Sequence, residues 1–133
     1  MLGAGVNTRV FSWHCHIHTD ILARLKPITW VGSAKRDLVT CSPDVQRAAG
    51  RELERVQRGG APTDWKSMTS IGSGTREIRV HADNEIRVFY VAMFPEAVYV
   101  LHVFTKKSQK TSPRDRALGQ QRYQTMLQER RTL

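Results

Sequence analysis

A chain of 133 residues that is 40% hydrophobic has room for one domain with a modest core, and its composition excludes wholesale disorder. Twenty-one Lys and Arg against twelve Asp and Glu give a formal charge of +9, which on so small a domain points to a polyanion, nucleic acid or an anionic membrane. No apolar run approaches the roughly 20 residues that span a bilayer. Residues 1–10 lack the basic cluster and apolar stretch of a signal peptide, and Cys15 and Cys41 make no disulfide framework. The expectation is a soluble cytoplasmic protein without a membrane partner.

Residues 1–25 read as a loosely packed N-terminal extension, because Gly3, Gly5 and Asn7 interrupt any periodicity. Within them His14, Cys15, His16 and His18 invite a copper or zinc reading, since imidazole and thiolate ligate such ions. The run is similar to a signature of multicopper oxidases. The similarity is local: Asp20 stands where that family has a further His, and the chain is too short for its domains. No metal and no cofactor is expected.

Residues 26–133 are read as the domain. ITWV at 28–31 is a short β-prone run ended by Gly32 and Ser33, and residues 34–39 make one or two helical turns. Ser42, Pro43 and Asp44 form a clear helix start, with a capping hydroxyl, proline at the first position and an acid in the first turn. Val45, Ala48, Ala49, Leu53 and Val56 then recur at helical spacing, and Gly59 and Gly60 stop the helix. Residues 66–71 suggest an edge strand, and the Gly-Ser-Gly at 72–74 a tight turn.

Three β-rich runs follow, at 75–81, 85–93 and 97–105. In the first, Ile78 and Val80 share a face, with Glu77, Arg79 and His81 on the other. In the second, Ile86, Val88 and Tyr90 lie opposite Arg87, Phe89 and Val91. The third is apolar on both sides, as a covered central strand would be, and holds His102. Pro113 opens a C-terminal helix whose apolar stripe is irregular and weakened by Gly119. From residue 106 onward eight Lys or Arg face two acids.

The chain has no phosphate-binding glycine loop, no His-Glu-x-x-His, no zinc-spaced cysteine pair and no paired carboxylates for acid–base work. Its cations suit phosphodiester chemistry, in which negative charge gathers on phosphate oxygens in the transition state. Arg binds phosphate in two places, and RNA carries its own nucleophile, the 2′-hydroxyl. The residues themselves leave open whether the surface cleaves RNA or only binds it.

PITW (27–30), EIRV (77–80), IRVFY (86–90), VYVLHVFTKK (98–107) and QKTSP (109–113), in this order of elements, resemble the RelE/ParE superfamily, and most closely its phage-derived HigB-like branch. The resemblance implies an α+β fold: a short N-terminal strand, two helices, an antiparallel β-meander and a C-terminal helix. It implies a type II toxin that cleaves mRNA at the ribosome without a metal and is neutralised by a helix-turn-helix (XRE-type) antitoxin. Arg79 and Arg87 would clamp the scissile phosphate and Lys107 would stabilise developing charge. His102 and Tyr90 are candidates for base contact or proton transfer, and Lys66, Arg76, Lys106 and Lys110 for RNA binding. A gyrase inhibitor of the same fold, or a basic RNA-binding protein without nuclease activity, is the alternative.

Overall fold

The computed structural model describes residues 25–133 and the backbone of residues 6–9. Among the described residues six strands form one sheet in the order β1-β2-β6-β5-β4-β3. They are β1 (Val6–Arg9), β2 (Ile28–Val31), β3 (Trp65–Ser67), β4 (Thr75–His81), β5 (Glu85–Val91) and β6 (Val98–Thr105). Helices α1 (Ala34–Val39) and α2 (Pro43–Gln57) follow β2, and α3 (Pro113–Arg130) follows β6. The expected α+β layout is present, with β4, β5 and β6 as the antiparallel meander.

Two features extend that layout. Val6–Arg9 pairs antiparallel with β2, so part of the N-terminal extension is an edge strand. The histidines and cysteine at 14–18 lie outside the described residues. β6 pairs parallel with β2 on its other side, through Ile28–Val98, Thr29–Tyr99 and Trp30–Val100. Such pairing needs a long crossover, and here α1, α2 and strands β3 to β5 supply it.

Alternation along the strands divides the core in two. Ile78, Val80, Ile86, Val88, Tyr90, Val98, Val100 and Val103 meet α1 and α2 on one face. Val91, Phe89, Tyr99, Leu101 and Phe104 meet Tyr123 and Met126 of α3 on the other. Each fully buried aliphatic or aromatic side chain contributes about 1.5–3 kcal/mol of transfer free energy, so covering both faces of β5 and β6 is a large share of the stability.

The caps follow the sequence signals. Ser42 and Ser112 accept from the backbone N–H groups of Val45 and Asp115, each with proline next in the chain. The far end of α3 is tied to the sheet by Glu96, which takes hydrogen bonds from Arg130 and from the Tyr99 hydroxyl. Arg130, first, and Tyr99 hold the Glu96 carboxyl down at about 2 against burial. Gly119 lies where α3 crosses β5: a Cβ there would sit 2.9 Å from a ring carbon of Phe89. The residue that weakens the helix in isolation therefore sets how closely the helix can approach.

Candidate nucleic-acid interface

The site begins with a miscount in the β5–β6 ladder. Phe89 pairs with His102 and Tyr90 with Val100, so Leu101 has no opposite number. One extra residue reverses the alternation. Without it His102 would share the core face of Val98 and Val100; with it His102 and Phe104 turn to the α3 side.

His102 is 4% exposed. It stacks on Phe104 with centroids 4.8 Å apart and planes at 18°. Its Nε2 lies 2.8 Å from Asp115 Oδ1, and its Nδ1 3.1 Å from Arg122 Nη1. A guanidinium only donates, so Nδ1 accepts and Nε2 carries the proton toward Asp115. Arg122 also donates to the Leu101 carbonyl at 3.1 Å and to Ser33 Oγ at 2.9 Å, and Ser33 donates to Asp37 at 2.7 Å. Asp115 accepts from Ser112 at 2.7 Å. One polar chain thus joins α1, the bulge of β6 and the first turns of α3.

Burial, first, and the Arg122 charge push the His102 pKa below its ordinary 6.5, against the pull of Asp115. The exposed His81 moves the other way. It bridges Asp64 at 2.8 Å and Glu85 at 2.9 Å, and hydrogen bonds first to Asp64 and then to Glu85 push its pKa up. For His81 the stability from charging is full below 6.5 and is lost as pH rises through the raised folded value. For His102 the neutral form is favoured, so its contribution is full above 6.5 and is lost as pH falls through the lowered folded value. In an NMR titration the two imidazoles should give midpoints on opposite sides of 6.5. Matching midpoints would contradict the hydrogen-bond assignments.

Two open clefts flank the loop between β6 and α3. The first, about 670 Å3, carries Arg36, Lys106, Lys107, Lys110, Arg114 and Arg122. Its carboxylates, Asp37 and Asp115, are occupied by the polar chain already described. The second, about 520 Å3, is lined by Lys66, Lys106, Lys110, Arg116 and a single carboxylate, Glu77. Lys106 and Lys110 belong to both, so the loop is a cationic ridge between two hollows.

Of the residues expected to act, Lys66, Lys106, Lys107 and Lys110 line these clefts, and His102 lies in the wall of the first. Arg79 and Arg87 are cross-strand partners on the α3 face. Both turn to carboxylates. Glu77 Oε1 lies 3.7 Å from Arg79 Nε and 3.8 Å from Arg87 Nε, and Arg87 donates to Glu85 at 3.2 Å. The Arg87 side chain is 9% exposed, which makes it a buried partner rather than an open clamp.

Tyr90 and Arg76 stand apart from the clefts. Tyr90 is buried in the α1–α2 core, where desolvation raises its pKa. Arg76 lies over the ring of Trp65, 4.1 Å from its centroid, beside Lys26 and Met93. The sequence reading missed Arg36, Asp115, Arg114, Arg116 and Arg122. Pro113 and the charge excess after residue 106 were the only local signal for the four on α3, and Arg36 had none, because folding brings α1 and α3 together across the end of β6.

A profile of the family described as "Phage derived protein Gp49-like (DUF891)" matches residues 36–124, from α1 to the fourth turn of α3. The chain belongs to the Gp49-like family. That phage-derived family falls in the toxin–antitoxin-associated RelE/HigB-like group. No curated protein and no solved structure matches the chain. In this Gp49-like chain the matched span includes the second cleft, the first cleft except Ser33, and the polar chain from Ser112 to Arg122. Among the described residues no cluster of three His, Cys, Asp or Glu is placed to hold a metal, and no helix is long and apolar enough to cross a membrane.

Proposed function

We propose that the chain is the toxin of a type II toxin–antitoxin pair and that it cleaves mRNA by positioning and charge, without a metal. The observation that carries this reading is the paired cationic clefts, in which Asp37 and Asp115 are hydrogen-bonded within the polar chain and Glu77 sits between Arg79 and Arg87. Such a surface attracts phosphates through counterion release. In the proposed reaction the 2′-hydroxyl oxygen bonds to phosphorus while the bond to the 5′-oxygen breaks, leaving a 2′,3′-cyclic phosphate and a 5′-hydroxyl. Lys106 and Lys107 stabilise the charge that develops on the phosphate oxygens. Buried His102 and Tyr90 on the opposite face leave proton transfer to solvent and to the ribosomal A site, where the mRNA is held in line. A helix-turn-helix antitoxin is the proposed neutralising partner, acting by covering the ridge.

The test is to add the protein to a translating extract and map mRNA 5′ ends. Lys107→Ala should reduce cuts about 100-fold, the scale of losing one oxyanion donor. Replacing Lys106, Lys107 and Lys110 together should lower the slope of log affinity for single-stranded RNA against log salt by about 2, from three lost phosphate contacts. Binding without cuts would favour the RNA-binding alternative. Intact mRNA with loss of DNA supercoiling activity would favour the gyrase inhibitor.

A further inference from the structure

The second cleft contains one group that the proposed cleavage does not use. Glu77 projects from β4 toward α3, and its side chain is 2% exposed at the floor of the cleft. Its Oε1 is held by charge between Arg79 and Arg87, at distances too long for hydrogen bonds. Its Oε2 is buried and has no hydrogen-bond partner. Leaving such an acceptor open is costly, and a native protein that keeps one calls for an explanation. The cations around it are donors: Lys66, Lys106, Lys110 and Arg116. Glu77 is thus an acceptor of fixed position among cationic donors.

We propose that Glu77 reads a nucleobase, its Oε2 accepting a hydrogen bond from an exocyclic amino group while Lys66, Lys106 and Lys110 hold the flanking phosphates. This rests on the RNA-binding reading of the clefts and adds base selectivity to it. Carboxylates accept from the N4 amine of cytosine. Uracil presents its O4 carbonyl at the same edge and would set oxygen against oxygen. Adenine, with its N6 amine, falls on the cytosine side. The lysine stems are long and rotatable, so the hollow can admit a base between them.

Fluorescence anisotropy with octacytidylate and octauridylate at low salt tests this, because the two differ at that edge alone. The intact protein should bind octacytidylate about tenfold more tightly, the scale of one base-edge contact. An octamer of N4,N4-dimethylcytidine, which has lost both amino hydrogens, should bind as the uridine octamer does, and this comparison leaves the protein unaltered. In Glu77→Gln, Arg79 and Arg87 should keep the amide oxygen inward and leave the NH2 facing the cleft, so the preference for cytidine should vanish or invert. Equal binding of the two natural octamers, or undiminished binding of the dimethyl octamer, would overturn base reading while leaving RNA binding intact. A cytidine preference unchanged in folded Glu77→Gln would overturn the role of Glu77. Binding of neither octamer would sink the RNA reading itself.

Discussion

Replacing Arg122 with alanine should lower the midpoint of thermal unfolding by roughly 10 °C. The guanidinium bonds three groups on two elements: the Leu101 carbonyl and the His102 ring at the bulge of β6, and the Ser33 hydroxyl at the start of α1. Hydrogen bonds to a charged group contribute about 1.5–3 kcal/mol each, and stranding buried acceptors adds to the loss. Arg122 is half-buried, and water will replace part of what is removed, so about 3 kcal/mol is the expected total. Gly32 makes the arrangement harder to substitute. Its φ is +60°, and a Cβ there would lie 2.7 Å from Arg122 Nε. Lysine at 122 keeps the charge but lacks the planar fork, and should recover less than half of the loss. Differential scanning calorimetry gives the answer, and an unchanged midpoint would mean that the polar chain adds no net stability.

Gly119→Ala gives the second large effect, because two physical terms predict opposite signs. Inside a helix, Gly to Ala ordinarily gains about 1 kcal/mol. Here the new methyl would meet ring carbons of Phe89 at 2.9 and 3.0 Å and the Ile71 Cδ1 at 3.3 Å. Phe89 is fully buried and packed edge-on to Phe104, 5.0 Å between centroids, so the ring has nowhere to turn. Overpacking of this kind costs about 1–3 kcal/mol. The packing term should win: Gly119→Ala should destabilise by about 2 kcal/mol in urea unfolding, and Gly119→Val by more. A gain in stability would show that α3 can move outward freely, and with it the cleft.

Most elements were legible because their signals are local. The Ser-Pro caps at 42–43 and 112–113 start α2 and α3, and the alternation at 75–81 bounds β4. The same alternation already set Tyr90 against Arg87, so placing both in one site asked the strand to face two ways. The parallel pairing of β2 with β6 and the extra residue at Leu101 left no such mark. Parallel pairing depends on which edge of the meander a distant strand meets. A bulge in a strand apolar on both sides leaves the hydropathy pattern unchanged. Lys106, Lys107 and Lys110 were found because they cluster in sequence. Arg36 and Arg122 were not, because they meet only across the end of β6. Arg79 and Arg87 were expected to clamp a phosphate together, and they are neighbours across the ladder, but the carboxylate between them, Glu77, changes what two adjacent arginines can do.

The central position of β6 has a consequence for how the protein is made. β2 leaves the ribosome early, yet the parallel neighbour it needs lies some seventy residues downstream, at Val98–Val100. Until that strand emerges, the sheet exists as two separate pieces, β1–β2 and the β3–β4–β5 ladder. Both hollows need the loop after β6 and the start of α3, so they form later still. A nascent chain halted before that loop would carry neither hollow. Under the proposed activity, the order of strands delays its appearance while the chain is still attached to the machinery it would attack.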